Sequence, residues 1–120
     1  MLKNQDNILP LDTSQPKKVL ITGPAANSLK ILAGAWAVHW QGAIDDSELL
    51  GQGSTLYEAF NEYVQDKNAE WTVNWAVGMN YTGPLSDYDN AMEMARESDL
   101  IILTSGEPPY AEMYEQIDDL

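Results

Sequence analysis

The chain has 120 residues and a mass of 13.3 kDa, enough for one domain with a real core and too few for two. Its 19 acidic residues against 6 Lys and Arg give a formal charge of -13, which leaves no basic stripe to neutralise phosphates and argues against nucleic acids and anionic membrane surfaces as partners. With no cysteine, disulfides, thiolate nucleophiles and zinc ribbons are excluded as well.

Residues 1–16 read as a lead-in between domains, with an α/β domain running over 17–120. The opening "MLKNQDNILPLDTSQPKK" has no apolar core of signal-peptide length. Nowhere do about eighteen apolar residues run together, so no membrane span is expected. Apolar residues near the start and the abrupt "DDL" at the end read as cuts from a longer protein. "KKVLITGP" (17–24) is a β-branched and apolar run stopped by Gly23-Pro24, which predicts a buried strand with Lys17 and Lys18 at its solvated entrance. The glycine-dotted stretch from Ala25 to Ser54 has no sustained period and reads mostly as loop, with one helical turn over 28–32. "STLYEAFNEYVQD" sets Leu56, Ala59, Phe60, Tyr63 and Val64 on one helical face, with Thr55 and Glu58 spaced as a capping box. "WTVNWAVG" alternates with a two-residue period, so Trp71, Val73, Trp75 and Val77 share one face of a second strand, where core packing is expected for both tryptophans. "SDYDNAMEMARES" places Tyr88, Ala91, Met92 and Ala95 on a second helical stripe, with Ser86 as N-cap. "DLIILTSGE" is continuously apolar before its turn, the pattern of a central parallel strand covered on both faces.

Strand, loop, helix, strand, helix, strand is the order of an α/β fold with parallel strands. The expected architecture is a three-layer sandwich around a mostly parallel sheet. Ligands of such sheets gather outside the carboxyl ends of the strands, and three segments share that edge: "TGPAAN", "VGMNYTGP" and "TSGEPPYAE". Glu107 is thereby delivered to the ligand edge. A carboxyl there can serve as a general acid when like-charged neighbours favour its protonated form, and Glu112 and Glu115 share its loop with Pro108, Pro109 and Tyr110. The same spacing also fits carboxylates that only solvate a turn.

"GAWAVHWQG" carries Trp36 and Trp40 beside His39 and Gln41 without a core period. Exposed indole faces suit the C–H faces of sugar rings; filling of a local cluster is the other reading. His39 is the only histidine and no acidic set has calcium-loop spacing, so no metal is expected. "TGPAAN" has one glycine and lacks the repeated glycines of a phosphate loop. Ser28 and Ser105 have no triad or nucleophile elbow around them.

In order, "LKNQDNILPL", "KKVLITGPAAN", "AGAWAVHWQG", "STLYEAF" and "DLIILTSGEPPYAE" resemble the second, α/β-sandwich domain of family-3 glycoside hydrolases, the group of β-glucosidases and exo-acting β-glucanases. The resemblance runs over nearly the whole chain. It implies a retaining β-glycosidase in which an N-terminal barrel domain of the same parent chain supplies an aspartate nucleophile and this domain supplies the glutamate acid/base. By motif position Glu107 of "SGE" is that acid/base, with Glu112 of "YAE" the alternative. Trp40, then Trp36, would flank the acceptor-side sugar, with Tyr110 as a further substrate residue. A β-linked glucoside or oligosaccharide is the implied substrate, no cofactor is needed, and the parent is expected to be periplasmic or secreted. Without the nucleophile the 120 residues would be inactive, and an incomplete sheet would leave an edge that a second copy could cover. A non-catalytic glycan-binding or interaction module is the alternative.

Overall fold

The computed structural model describes residues 3–81 and 83–109. Its centre is strand β1 (Lys17–Thr22), whose Val19, Leu20 and Ile21 are fully buried. Side chains alternate across a strand, so Val19 and Ile21 face one layer and Leu20 the other. Strand β2 (Trp71–Ala76) lies parallel on one side, Val19 opposite Val73, and β5 (Leu100–Leu103) lies parallel on the other, Val19 opposite Leu100. The order is β2-β1-β5.

Helix α2 (Leu56–Asp66) covers the face of Val19 and Ile21 through Leu56, Phe60 and Val64. Its start is fixed as the sequence requires: Thr55 accepts from the Glu58 amide while the Glu58 carboxylate accepts from the Thr55 amide, a complete capping box. The helix runs antiparallel to β2, since Tyr57 meets Trp75 and Phe60 stacks on Trp71. Trp71 is in the core, with its indole N–H donating to the Gln15 carbonyl. Trp75 departs from expectation and is 39% exposed: it overhangs the first turn of α2, where Tyr57 alone among the described rings covers it. Helix α3 (Tyr88–Arg96) covers the opposite face, with Ala91 buried beside Leu20 and Ala76, and Met94 and Ala95 packed around them. The three layers are therefore α2, sheet and α3. The stripe is rotated from the expected one, since Tyr88 and Met92 stay more than a third exposed. The cap also differs. Asp87, not Ser86, precedes the helix, and its carboxylate accepts from the Gly78 amide instead of capping.

Strand β5 corrects a second expectation. It bonds to β1 alone among the described strands, so the central strand is β1 and β5 is an edge. Leu100 and Ile102 join the α2-side core, whereas Ile101 and Leu103 are 48% and 64% exposed, because α3 lies over β1 and β2. A continuous apolar run does not say which of its faces a helix covers. The long loop holds α1 (Leu29–Ala33) and a 3-10 turn over Asp46–Leu49; strands β3 (Met79–Asn80) and β4 (Gly83–Pro84) make a small hairpin after β2.

The three strand ends are tied at Gly23. Its amide donates to the Val77 carbonyl at 3.0 Å, and Thr104 donates through both its amide and its hydroxyl to the Thr22 carbonyl at 2.8 and 2.9 Å. Gly23 has φ +96, and a Cβ there would collide with the Thr104 carbonyl oxygen. Only glycine fits both constraints. Gly23→Ala is expected to destabilise the fold by about 3 kcal/mol or more, read as a lowered denaturation midpoint; a midpoint equal to wild type would contradict the junction.

Candidate functional site

The junction gathers the expected segments around one cleft of about 690 Å³ at the carboxyl edge of the sheet. Pro24 leaves β1 into its wall, and Val77, Asn80, Tyr81 and Leu85 come from the segment after β2. Glu107, Pro108 and Pro109 follow β5 on the rim, while Gln41, Gly42 and Ala43 close the far side. The helix-side wall adds Ser28, Lys30 and Ile31 of the α1 region. Half of this lining is aliphatic or proline, with two amides, a hydroxyl, a phenol, an ammonium and one carboxylate converging on it. Apolar walls with a few convergent polar groups are the general make-up of a small-molecule site. Among the described lining residues Glu107 is the only carboxylate. Tyr81 brings its hydroxyl close to Gly106, the residue that precedes Glu107: a Cβ there would lie 3.9 Å from it.

The far side is a folded turn. Trp36 donates to the Trp40 carbonyl at 3.2 Å, Gly42 donates to the His39 carbonyl at 3.0 Å, and Gly42 at φ +89 leaves no room for a Cβ against the Gly34 carbonyl. Trp36 itself sits at φ 62, a left-handed conformation that costs a non-glycine residue roughly 1 kcal/mol. Bracing comes from the next segment. His39 Nε2 lies 2.9 Å from Glu48 Oε1, and the Ile44 amide donates to Glu48 Oε2 at 2.6 Å. Lys30 Nζ donates to the Ile44 carbonyl at 2.8 Å, and Asp46 accepts from Ser28 Oγ and the Lys30 amide. Asp45 caps the 3-10 turn through the Ser47 amide and hydroxyl.

Of the residues singled out from sequence, Glu107 reaches the cleft. Trp36 and Trp40 do not line it; they stand on the turn whose next residues, Gln41 and Gly42, do, and they are 71% and 40% exposed. Glu112, Glu115 and Tyr110 lie outside the described residues. Asn80 and Tyr81 were legible only as members of a segment expected at this edge, and Lys30 and Glu48 carried no spacing signal at all. Among the described residues no cluster of three His, Cys, Asp or Glu stands ready for a metal ion, and no helix is long and apolar enough to cross a membrane.

An α/β sandwich with its cleft at the carboxyl edge of parallel strands defines the class. Within that class, the glycosyl hydrolase family 3 C-terminal domain matches residues 1–119, and the chain belongs to this family. It is 39% identical over 122 residues to the lysosomal beta glucosidase of Dictyostelium discoideum, covering all of this chain and 15% of that protein. Among solved structures it resembles the exo-1,3/1,4-beta-glucanase of a Pseudoalteromonas species, with a TM-score of 0.69 and 26% identity over 98% of this chain and 12% of that one. A single-residue variant of that glucanase matches at a TM-score of 0.54 and 19% identity, over 92% of this chain and 22% of that one, a likeness of fold alone. The chain thus spans a small part of the proteins it resembles.

The brace on the turn depends on pH. The hydrogen bond from His39, then that from the Ile44 amide, holds the Glu48 carboxyl below its usual range. A folded value below the unfolded one means that the stability contributed by the Glu48 carboxylate is fully present above about pH 4.3, the ordinary glutamate value, and is lost as pH falls through the depressed folded value. The Glu48 side-chain carboxyl 13C signal, identified by its loss in Glu48→Gln, should therefore titrate with a midpoint below about pH 4.3. A midpoint at or above that pH would contradict the brace.

Proposed function

We propose that this domain supplies the acid/base carboxyl and part of the sugar site of a retaining β-glycosidase. The observation that carries the reading is Glu107, the one carboxylate among the described lining residues, on the rim of a cleft built by the strand ends of a family 3 domain. Retention needs two carboxyls about 5 Å apart, one attacking the anomeric carbon and the other protonating the leaving oxygen and then activating water. The second would come from an N-terminal barrel domain of the same polypeptide, with residues 1–16 as the lead-in and 17–120 as the sandwich domain, so the 120 residues alone would not turn over substrate. The names of the relatives, a beta glucosidase and an exo-1,3/1,4-beta-glucanase, support a β-linked glucoside or glucan as substrate.

In this reading Trp40 and Trp36 offer their indole faces to the sugar on the leaving side, and Tyr110 joins them from the Glu107 loop. Glu112 remains the alternative acid/base. A periplasmic, secreted or lysosomal location suits the parent, the last by the name of the relative. The edge of β5 offers a surface for self-association. A second reading, a module that binds glycan without catalysis, is favoured by one observation: both tryptophans stand on the exposed turn and not in the cleft.

The readings separate in the full-length polypeptide. Glu107→Gln is expected to lower kcat/KM on unactivated glucosides by about 10²- to 10⁴-fold, to spare activated aryl glucosides, and to be rescued by azide. Full turnover by Glu107→Gln together with loss in Glu112→Gln would move the role to Glu112; full turnover in both would leave the binding module.

A further inference from the structure

One carboxylate grips both ends of the turn that carries Trp40, and Trp36 stands just before it. Glu48 meets His39 with one oxygen and the Ile44 amide with the other, so residues 39–44 form a loop whose two ends are held by a single side chain. Inside that loop are Trp40, Gln41, Gly42 and Ala43, of which the last three line the cleft. The turn does not hold itself without strain, since Trp36 at φ 62 is in a region that persists in a non-glycine residue only when its surroundings over-determine it. Ile44 is gripped a second time, its carbonyl accepting from Lys30 Nζ. Lys30 lines the same cleft, so the brace joins the tryptophan turn to the cleft wall.

We propose that Glu48 is a positioning residue for the sugar on the leaving side: it touches no substrate, and through His39 and Ile44 it sets where Trp40 and Gln41 meet that sugar. The inference rests on the glycosidase reading above. A brace of this kind acts on one subsite only. A substrate with a leaving-side sugar depends on the turn, whereas β-glucosyl fluoride, whose leaving atom carries no ring to stack, does not.

The test uses the full-length polypeptide and compares a β-linked glucose disaccharide with β-glucosyl fluoride. Glu48→Ala is expected to raise KM for the disaccharide about three- to tenfold while both constants on the fluoride stay within about twofold. His39→Ala should raise the same KM in the same selective way, and the double variant should be no worse than Glu48→Ala alone, because both act through one interaction. Glu48→Gln, which keeps an acceptor for the Ile44 amide, should fall between. Should Glu48→Ala not fold, His39→Ala, which removes only the exposed ring, gives the same comparison. Equal effects on the two substrates, no effect on either, or additive effects in the double variant would overturn the inference while leaving the glycosidase reading intact. A wild-type protein inactive on both substrates would overturn that reading and this inference with it.

Discussion

The close approach of Gly23 to Thr104 is the constraint on which the site depends. Parallel strands end at one edge, but nothing in parallel pairing alone brings their outgoing loops together. Here the β1 backbone turns at a positive φ into space that a side chain would fill, and Thr104 bonds back to the Thr22 carbonyl while its hydroxyl accepts from the Ala25 amide. The Val77 carbonyl takes the Gly23 amide from the other side. The chain beyond β5 therefore leaves from a fixed point, and Glu107 follows Thr104 by three residues, with Pro108 and Pro109 directly after it. The point from which that segment departs is set by main-chain hydrogen bonds at Thr104 and Gly23.

Against that rigid edge the tryptophan turn is built differently. Among the described residues it has no strand behind it, and charged side chains on the 3-10 turn and α1 hold it in place. In the proposed glycosidase, a site with one wall tied through Thr104 and Gly23 and the other held by side chains would divide its labour. Proton transfer needs a carboxyl at a fixed distance from the breaking bond, while a sugar ring lying on an indole tolerates small shifts. The acidic balance of the chain is compatible with the proposed ligand, because a net charge of -13 repels phosphates and anionic polymers but not an uncharged glycan.

Much of the frame was legible in the residues. The 3.6 period of Leu56 to Val64 and the Thr55–Glu58 spacing gave α2 with its cap, and the alternation in "WTVNWA" gave β2. The apolar run before Gly23 gave β1, and the order of elements gave the parallel sandwich. What failed has a common cause: the pattern of one segment does not say what lies across from it. "LIIL" reads as a strand covered on both faces, yet Ile101 and Leu103 stand open among the described residues. Trp75 lies in the core stripe by period but at the end of the face that α2 covers. Asp87 takes the place before α3 while its carboxylate serves Gly78 across the sheet edge. The cleft was legible as an edge shared by three segments; the Glu48 brace was not, because a side-chain bond between residues nine apart leaves no periodic trace.

The central claim is that Glu107 is the carboxyl beside the leaving oxygen. A β-glucosylamine bearing a bromoacetyl group on its leaving side alkylates whichever carboxylate stands there, and peptide mapping of the inactivated full-length enzyme identifies it. The account predicts the label on Glu107, with protection by a competing glucoside. A label on Glu112, or on a carboxyl outside these 120 residues, would contradict it.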